Sequence, residues 1–232
     1  MTNIALIIAG GVGSRMHQAV PKQFMTVFDK PIIAYTMEKF EEHPAIDVIA
    51  VVCLEGWGNV LASYAKQYGI SKLKHIIPAG SVGQESIRNG IMELQNHYKD
   101  DDFILVHDGN RPLVSRDIIS DNIVVAEQMG NAIASIPCQE AILETLDGVA
   151  SMAFYQREKL RRTQTPHCFR LIDLVNAHKE AQKRGINNTV ASCTLMIELG
   201  KEVYFSNGSE QNIKITTQDD IDIFKALVRV KC

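Results

Sequence analysis

Ile4-Ala5-Leu6-Ile7-Ile8-Ala9-Gly10-Gly11-Val12-Gly13-Ser14-Arg15-Met16 opens the chain with a short apolar run that stops at a cluster of glycines. An unbroken run of this length reads as a strand buried on both faces, and the glycines read as a tight turn at its carboxyl end. No basic head precedes it, so it is expected to belong to the fold rather than to a signal peptide. The pattern then repeats. Val48–Leu54, His75–Pro78, Phe103–His107, Asn131–Ile136 and Val203–Ser206 are further strand candidates. Ile32–Glu42, Trp57–Tyr68, Gln84–Tyr98, Ser115–Gly130 and Thr217–Val230 carry the helical period between or after them. Apolar strands alternating with helices imply an α/β fold, with a mostly parallel sheet covered on both faces. Such sheets bind ligands outside the carboxyl ends of their strands, so the residues just after each strand are the candidates for chemistry.

Composition narrows the field. The 232 residues are 46% hydrophobic and 22% charged, enough apolar side chain for a sizeable core and too much for a disordered chain. With 24 Lys and Arg against 27 Asp and Glu, the net charge of −3 offers no global basic field for nucleic acid. No apolar run approaches the roughly 20 residues of a membrane span. Five cysteines without a CxxC pair (Cys53, Cys138, Cys168, Cys193 and Cys232) suggest reduced thiols in a cytoplasmic protein. One domain is expected over residues 1–232. The stretch from about 137 to 165 departs from the alternation: Ala141–Thr145 and Ala150–Tyr155 flank an Asp147-Gly148 turn, as in a β-hairpin. Such a hairpin is either a surface excursion or an arm that reaches a partner subunit.

The glycine loop after the first strand lacks the P-loop string G-x-x-x-x-G-K-[S/T]. It also fails the dinucleotide fingerprint, because Met16 stands where a third glycine would be and no ribose-binding acid follows about 20 residues on. That counts against an NAD-dependent oxidoreductase. What remains is exposed backbone with two cations, Arg15 and Lys22, a pairing suited to a triphosphate; surface cations around a tight turn are the alternative. Asp108 ends the fourth strand, where a carboxylate could hold Mg²⁺ beside phosphates. His107 should face the other way and serve structure. Arg111 is either a phosphate ligand or a carboxylate partner. Lys214 sits between apolar Ile213 and Ile215, so it should meet an anion, from ligand or protein. Thr217 and Asp220 form a helix-capping pair. Arg157, Arg161 and Arg162, leading into Thr163-Gln164-Thr165-Pro166, could bind a second phosphate or form a solvated surface.

Taken in order, Ala9 to Met16, Pro21-Lys22-Gln23, His107-Asp108-x-x-Arg111-Pro112, Gln164-Thr165-Pro166 and Asn212-Ile213-Lys214-Ile215-Thr216 resemble a cytidylyltransferase family. That family includes 2-C-methyl-D-erythritol 4-phosphate cytidylyltransferase and ribitol-5-phosphate cytidylyltransferase. The resemblance spans nearly the whole chain. It implies a Rossmann-like nucleotidyltransferase fold, a homodimer joined by the hairpin arm, and Mg²⁺-dependent transfer of CMP from CTP to a polyol phosphate. By the same resemblance Arg15, Lys22 and Lys214 would be catalytic, and Asp108 would hold the metal. Ala9, Gly10, Gly11, Gly13, Gly80 and Ser86 would seat the nucleotide. Arg157, Thr165 and Lys214 would hold the acceptor. Three departures stand out. Gly83 occupies the position of a family arginine in Ala79-Gly80-Ser81-Val82-Gly83-Gln84-Glu85-Ser86, with Arg88 or Gln84 as the nearby replacements. Pro137-Cys138-Gln139-Glu140-Ala141 lacks the Asp-Thr of the methylerythritol enzymes. Asn188-Thr189-Val190-Ala191-Ser192 lacks their acidic pair. The last two changes fall on the acceptor side and favour ribitol 5-phosphate or a related alditol phosphate, with methylerythritol phosphate as the alternative. A different nucleotide donor or a non-catalytic nucleotide-binding module are the remaining readings.

Overall fold

The computed structural model describes residues 1–11, 20–187 and 189–231. β1 (Asn3–Ala9) lies inside the main sheet between β4 (Val48–Cys53) and β6 (Phe103–Asp108), parallel to both. Its side chains alternate between two cores: Ala5, Ile7 and Ala9 enter one, Ile4 and Leu6 the other. Both faces are buried, which is why the run shows no polar alternation. β5 (Leu73–Pro78) closes one edge beside β4; beyond β6 come β10 (Arg161–Arg170), β7 (Asn131–Pro137) and β11 (Phe205–Asn207). The order is β11-β7-β10-β6-β1-β4-β5, and β10 alone runs against its neighbours.

On one face α1 (Ile32–Glu41), α2 (Gly58–Gln67) and α4 (Arg116–Met129) bury Met37, Phe40, Leu61 and Ile119 against Ile49 and Leu105. On the other, α3 (Gly83–Gln95), α5 (Leu171–Arg184) and α6 (Ser192–Glu198) bury Ile91, Leu94, Leu174 and Met196. Each such side chain contributes about 1.5–3 kcal/mol to folding. β2 (Thr26–Val27) and β3 (Lys30–Pro31) pair into a small ribbon outside the main sheet, and α7 (Gln218–Lys231) builds a third core, packing Ile221 and Phe224 on Ile215, Leu113, Ile32 and Val27. The expected caps form. Ile118 N–H donates to Ser115 Oγ at the start of α4. Thr217 N–H donates to Asp220 Oδ2 (2.8 Å) while Asp220 N–H donates to Thr217 Oγ1 (3.3 Å), starting α7.

The five helices read from periodicity are present, and β10, α5 and α6 are additions to that reading. Between β7 and β10, β8 (Ile142–Glu144) and β9 (Ala153–Tyr155) pair into a ribbon of their own, with Gly148 at φ 74° in the turn. Every residue from 139 to 159 is exposed. No helix among the described residues is long and apolar enough to cross a membrane.

Candidate active site

A cleft of about 640 Å³ opens where β1 and β6 end, bounded also by the loop after β5, by β10 and by Lys214. At the exit of β1, Gln23 is buried and donates Nε2 to the carbonyls of Ala9 (2.7 Å) and Gly11 (3.1 Å), fixing the backbone that faces the cleft. Gln23 sits in a single 3₁₀ turn, Lys22–Phe24, which also carries Lys22 to the cleft wall. Gly10 owes its identity to a neighbour in the protein. A Cβ there would lie 2.5 Å from that of Ala79, so the exits of β1 and β5 touch only because position 10 has no side chain. At Gly11 no described residue would meet an added side chain. Gly13 and Arg15 lie outside the described residues.

The loop after β5 is shaped from within. Gly80 N–H donates to Ser86 Oγ (3.1 Å), and that hydroxyl donates to Val82 O (3.1 Å). Gly83 lines the cleft. Neither nearby polar residue takes the arginine's place there. Arg88 pairs with Glu85 at 2.9 Å, and Gln84 donates to Ile186 O (2.7 Å) and accepts from Thr189 N–H (2.7 Å), tying α3 to the 186–192 segment.

Asp108 is the electrostatic centre. Lys214 Nζ lies 2.9 Å from Oδ1 and Arg111 Nε 3.0 Å from Oδ2. Burial works to raise the carboxyl's pKa, but the Lys214 ammonium and the Arg111 guanidinium outweigh it and hold the group well below the usual carboxylate range. Arg111 also donates to Asn212 O at 2.6 Å, and Ile215 N–H donates to Asn110 O at 2.9 Å. The segment bearing Lys214 is therefore pinned to the end of β6 on both sides of the lysine. In this structure Arg111 pairs with the carboxylate, and Lys214 meets the same protein anion.

Behind Asp108, His107 is fully buried. Its Nε2 lies 3.2 Å from Arg111 O, which can only accept, so Nε2 carries the proton and Nδ1 accepts from Thr165 Oγ1 at 3.0 Å. Burial pushes His107 down to about 4, so the ring is neutral. Thr165 Oγ1 in turn accepts from Asp108 N–H at 3.0 Å. The pairing of β10 with β7 is irregular between Thr163 and His167, where the Thr165-Pro166 peptide is cis, and on the β6 side the Thr165 hydroxyl satisfies the Asp108 amide beyond the last β6–β10 pair. Asn212 donates to Thr165 O (2.9 Å), and Gln164 joins the same web through Ser209.

Of the residues singled out from sequence, Ala9, Gly10, Gly11, Lys22, Gly80, Ser86, Asp108, Thr165 and Lys214 all reach this one cleft. Arg157 does not line it. It lies on the exposed segment after β9, beside Glu158 (3.2 Å) and Gln139 O (3.4 Å). The basic cluster disperses: Arg161 Nε donates to Ser135 Oγ, and Arg162 pairs with Glu210 at 2.8 Å. Gln23, Asn212 and Gln164 stand in the motifs read from sequence, but their supporting roles were not read there, since a buried amide's role is recognisable only by its partners.

A glycine-lined cleft that carries two lysines and one carboxylate at the carboxyl edge of an α/β sheet suits nucleotide chemistry. The family model described as 2-C-methyl-D-erythritol 4-phosphate cytidylyltransferase matches residues 3–230. The chain belongs to this cytidylyltransferase family. Among its relatives, ribitol-5-phosphate cytidylyltransferase of Lacticaseibacillus paracasei is 42% identical over 229 residues, covering 98% of each chain. The protein of the same name from Vibrio parahaemolyticus is 39% identical over 97% of this chain and 95% of its own. The 2-C-methyl-D-erythritol 4-phosphate cytidylyltransferase of Clostridium acetobutylicum is 37% identical over 98% and 97%. The fold is that of solved cytidylyltransferases: the Francisella tularensis methylerythritol phosphate enzyme superposes with a TM-score of 0.83 at 25% identity, over 97% of this chain and 99% of that one.

Proposed function

We propose that this member of the cytidylyltransferase family transfers CMP from CTP to ribitol 5-phosphate or a related alditol phosphate, giving a CDP-alditol and pyrophosphate. The observation that carries the reading is the convergence of Lys22, Asp108 and Lys214, from three separate segments, on the bare backbone of Gly10 and Gly11. The 42% identity to a ribitol-5-phosphate enzyme along 98% of both chains supports the choice of acceptor. In the reaction an acceptor phosphate oxygen attacks the α-phosphorus of CTP. The bond to the β-phosphate oxygen breaks, and its electron pair leaves with pyrophosphate. No protein nucleophile is required, so the residues act by positioning and charge. Lys214 and Lys22, with Arg15 by resemblance, offset the charge on the reacting phosphates. The backbone of Ala9, Gly10, Gly11 and Gly80, on a loop fixed by Ser86, seats the cytidine.

The donor set suits Mg²⁺. Asp108 is the one carboxylate among the described residues lining the cleft, it is ionised at neutral pH, and each of its oxygens keeps a lone pair beyond its cationic partner. Mg²⁺ takes one or two protein carboxylates and completes its shell with phosphate and water. When bound, it supplies counter-charge to the triphosphate. Thr165 and Arg157 are assigned to the acceptor. Arg157 would act in the cleft of a second copy, brought there by a homodimer whose contact is the exposed apolar ribbon of Leu143, Leu146, Met152 and Phe154. Buried thiols at Cys53, Cys138, Cys168 and Cys193 fit a reducing cytoplasm.

The test is pyrophosphate release with Mg²⁺ and CTP, comparing ribitol 5-phosphate with methylerythritol phosphate. Turnover with the alditol phosphate supports the proposal. Turnover with methylerythritol phosphate alone would replace the acceptor, a reading favoured by the family model and the Clostridium relative. No release with either, from protein that does not bind CTP, would refute the nucleotide chemistry.

A further inference from the structure

Outside the cleft, on the outer edge of the sheet, three potential metal ligands meet. His75 lies on β5, Glu93 in the last turn of α3, and His97 just past that helix's end. One ligand atom from each lies within 4.8 Å of the other two. His97 Nε2 is 3.1 Å from Glu93 Oε1, both side chains being half-exposed, and the rings of His75 and His97 have centroids 4.8 Å apart. Tyr98 Oη lies 2.9 Å from His75 Nε2, giving that ring a fixed polar partner. None of the three lines the cleft.

A surface Glu–His pair four residues apart is by itself an ordinary helix contact. The third member makes the difference, because it comes from a neighbouring strand and sets a second imidazole against the first. The two rings meet tilted at 39°, and a nitrogen of each lies within 4.8 Å of a Glu93 carboxylate oxygen. Two imidazoles and a carboxylate are the ligand types of borderline divalent ions, and three protein ligands leave a position for water. In a tetrahedral site with bonds of about 2.1 Å, donors sit about 3.4 Å apart. The observed spacing needs only a small inward turn of side chains that are half-free to move.

We propose that His75, Glu93 and His97 form a binding site for a zinc-like divalent cation. Burial and the neighbouring His97 lower the pKa of His75, so its ring is neutral and ready to ligate near pH 7. A bound ion would tie β5 to the far end of α3. The chain between them, the loop of residues 79–82 and the first turns of α3, forms one wall of the cleft, so the ion would brace that wall from behind.

The experiment is calorimetric titration of metal-free, untagged protein with Zn²⁺ in a Mg²⁺-containing buffer, in a Cys232→Ser background that removes the terminal thiol. One saturable site is expected, and His97→Ala and His75→Ala should each weaken it about tenfold or more. Zn²⁺ should also raise the melting temperature of the parent but not of either variant. Glu93→Gln, which keeps the side chain's size, provides a third variant if a histidine replacement fails to fold. Absence of saturable binding, or equal affinity in parent and folded variants, would overturn the proposal.

Discussion

His178 offers a sharp test of how this core is built. The side chain is 2% exposed on α5, and its Nε2 has no hydrogen-bond partner among the described residues. Burial, with Arg88 nearby, pushes its pKa down to about 4; His107 and His167 are pushed to about the same value by burial. An unfolded imidazole titrates near 6.5. Between about 6.5 and 4, therefore, the unfolded chain binds protons that the folded chain refuses, and stability falls as pH falls through that window. At pH 5 each such imidazole costs about 2 kcal/mol relative to neutral pH, and the three together about 6 kcal/mol. That is comparable with the whole stability of a typical domain. Asp108 does not contribute here: its carboxyl is depressed, so its stabilisation persists above the unfolded value near 4 and fades only below it. His178→Leu removes one proton-binding site that does not line the cleft. Urea unfolding, followed by the fluorescence of the single tryptophan, Trp57, which stacks on Phe24, gives stability at each pH. The variant should gain about 2 kcal/mol on its parent between pH 7.5 and pH 5. Parallel pH profiles for parent and variant would refute the reasoning, whatever the variant's stability at neutral pH.

Replacing Lys22 or Lys214 by Ala should lower turnover by on the order of 10²-fold or more, with little change in melting temperature for Lys214→Ala, because Asp108 keeps Arg111. Steady-state kinetics within a few-fold of the parent for both would remove them from the reaction. Gly10→Ala places a methyl against Ala79 and should cost about 1–3 kcal/mol while raising KM for CTP more than for the acceptor. Denaturant melts and paired KM measurements check this, and an unchanged variant would mean that the two strand exits are free to part.

What could be read from the chain follows from where chemistry and burial coincide. Ile4 to Ile8 and Val48 to Cys53 announce themselves because both faces of the strand are apolar. β10 could not be read this way. Arg161 to Arg170 is polar, contains Pro166, and looks like a loop, yet it runs through the middle of the sheet. It can do so because Gln164 is satisfied by Ser209 and Asn212, and because Pro166, which has no N–H to give, falls within the break in the ladder. α5 has the right apolar spacing, at Leu171, Leu174, Val175 and Ala181. It starts, however, at Arg170 with no capping side chain and no turn residue before it. The cleft was legible where residues end strands, as with Ala9, Gly10 and Asp108. Its bracing was not, because Gln23 and Asn212 acquire their roles only from carbonyls distant in sequence.

The ribbon of β8 and β9 leaves and rejoins the sheet at one point. Cys138 N–H donates to Leu160 O at 3.3 Å, and Pro137 lies opposite Arg161 in the β7–β10 pairing. To the rest of the protein, residues 139–159 are thus a single long insertion at a hairpin bend. The entropy of closing such a loop grows only with the logarithm of its length, so the sheet neither requires the insertion nor is much burdened by it. A short turn grafted from Cys138 to Leu160 should preserve the architecture. Lineages could redecorate this segment without disturbing the sheet or the backbone that seats the nucleotide, so that change there would fall on Arg157 and the ribbon's apolar contact rather than on the fold.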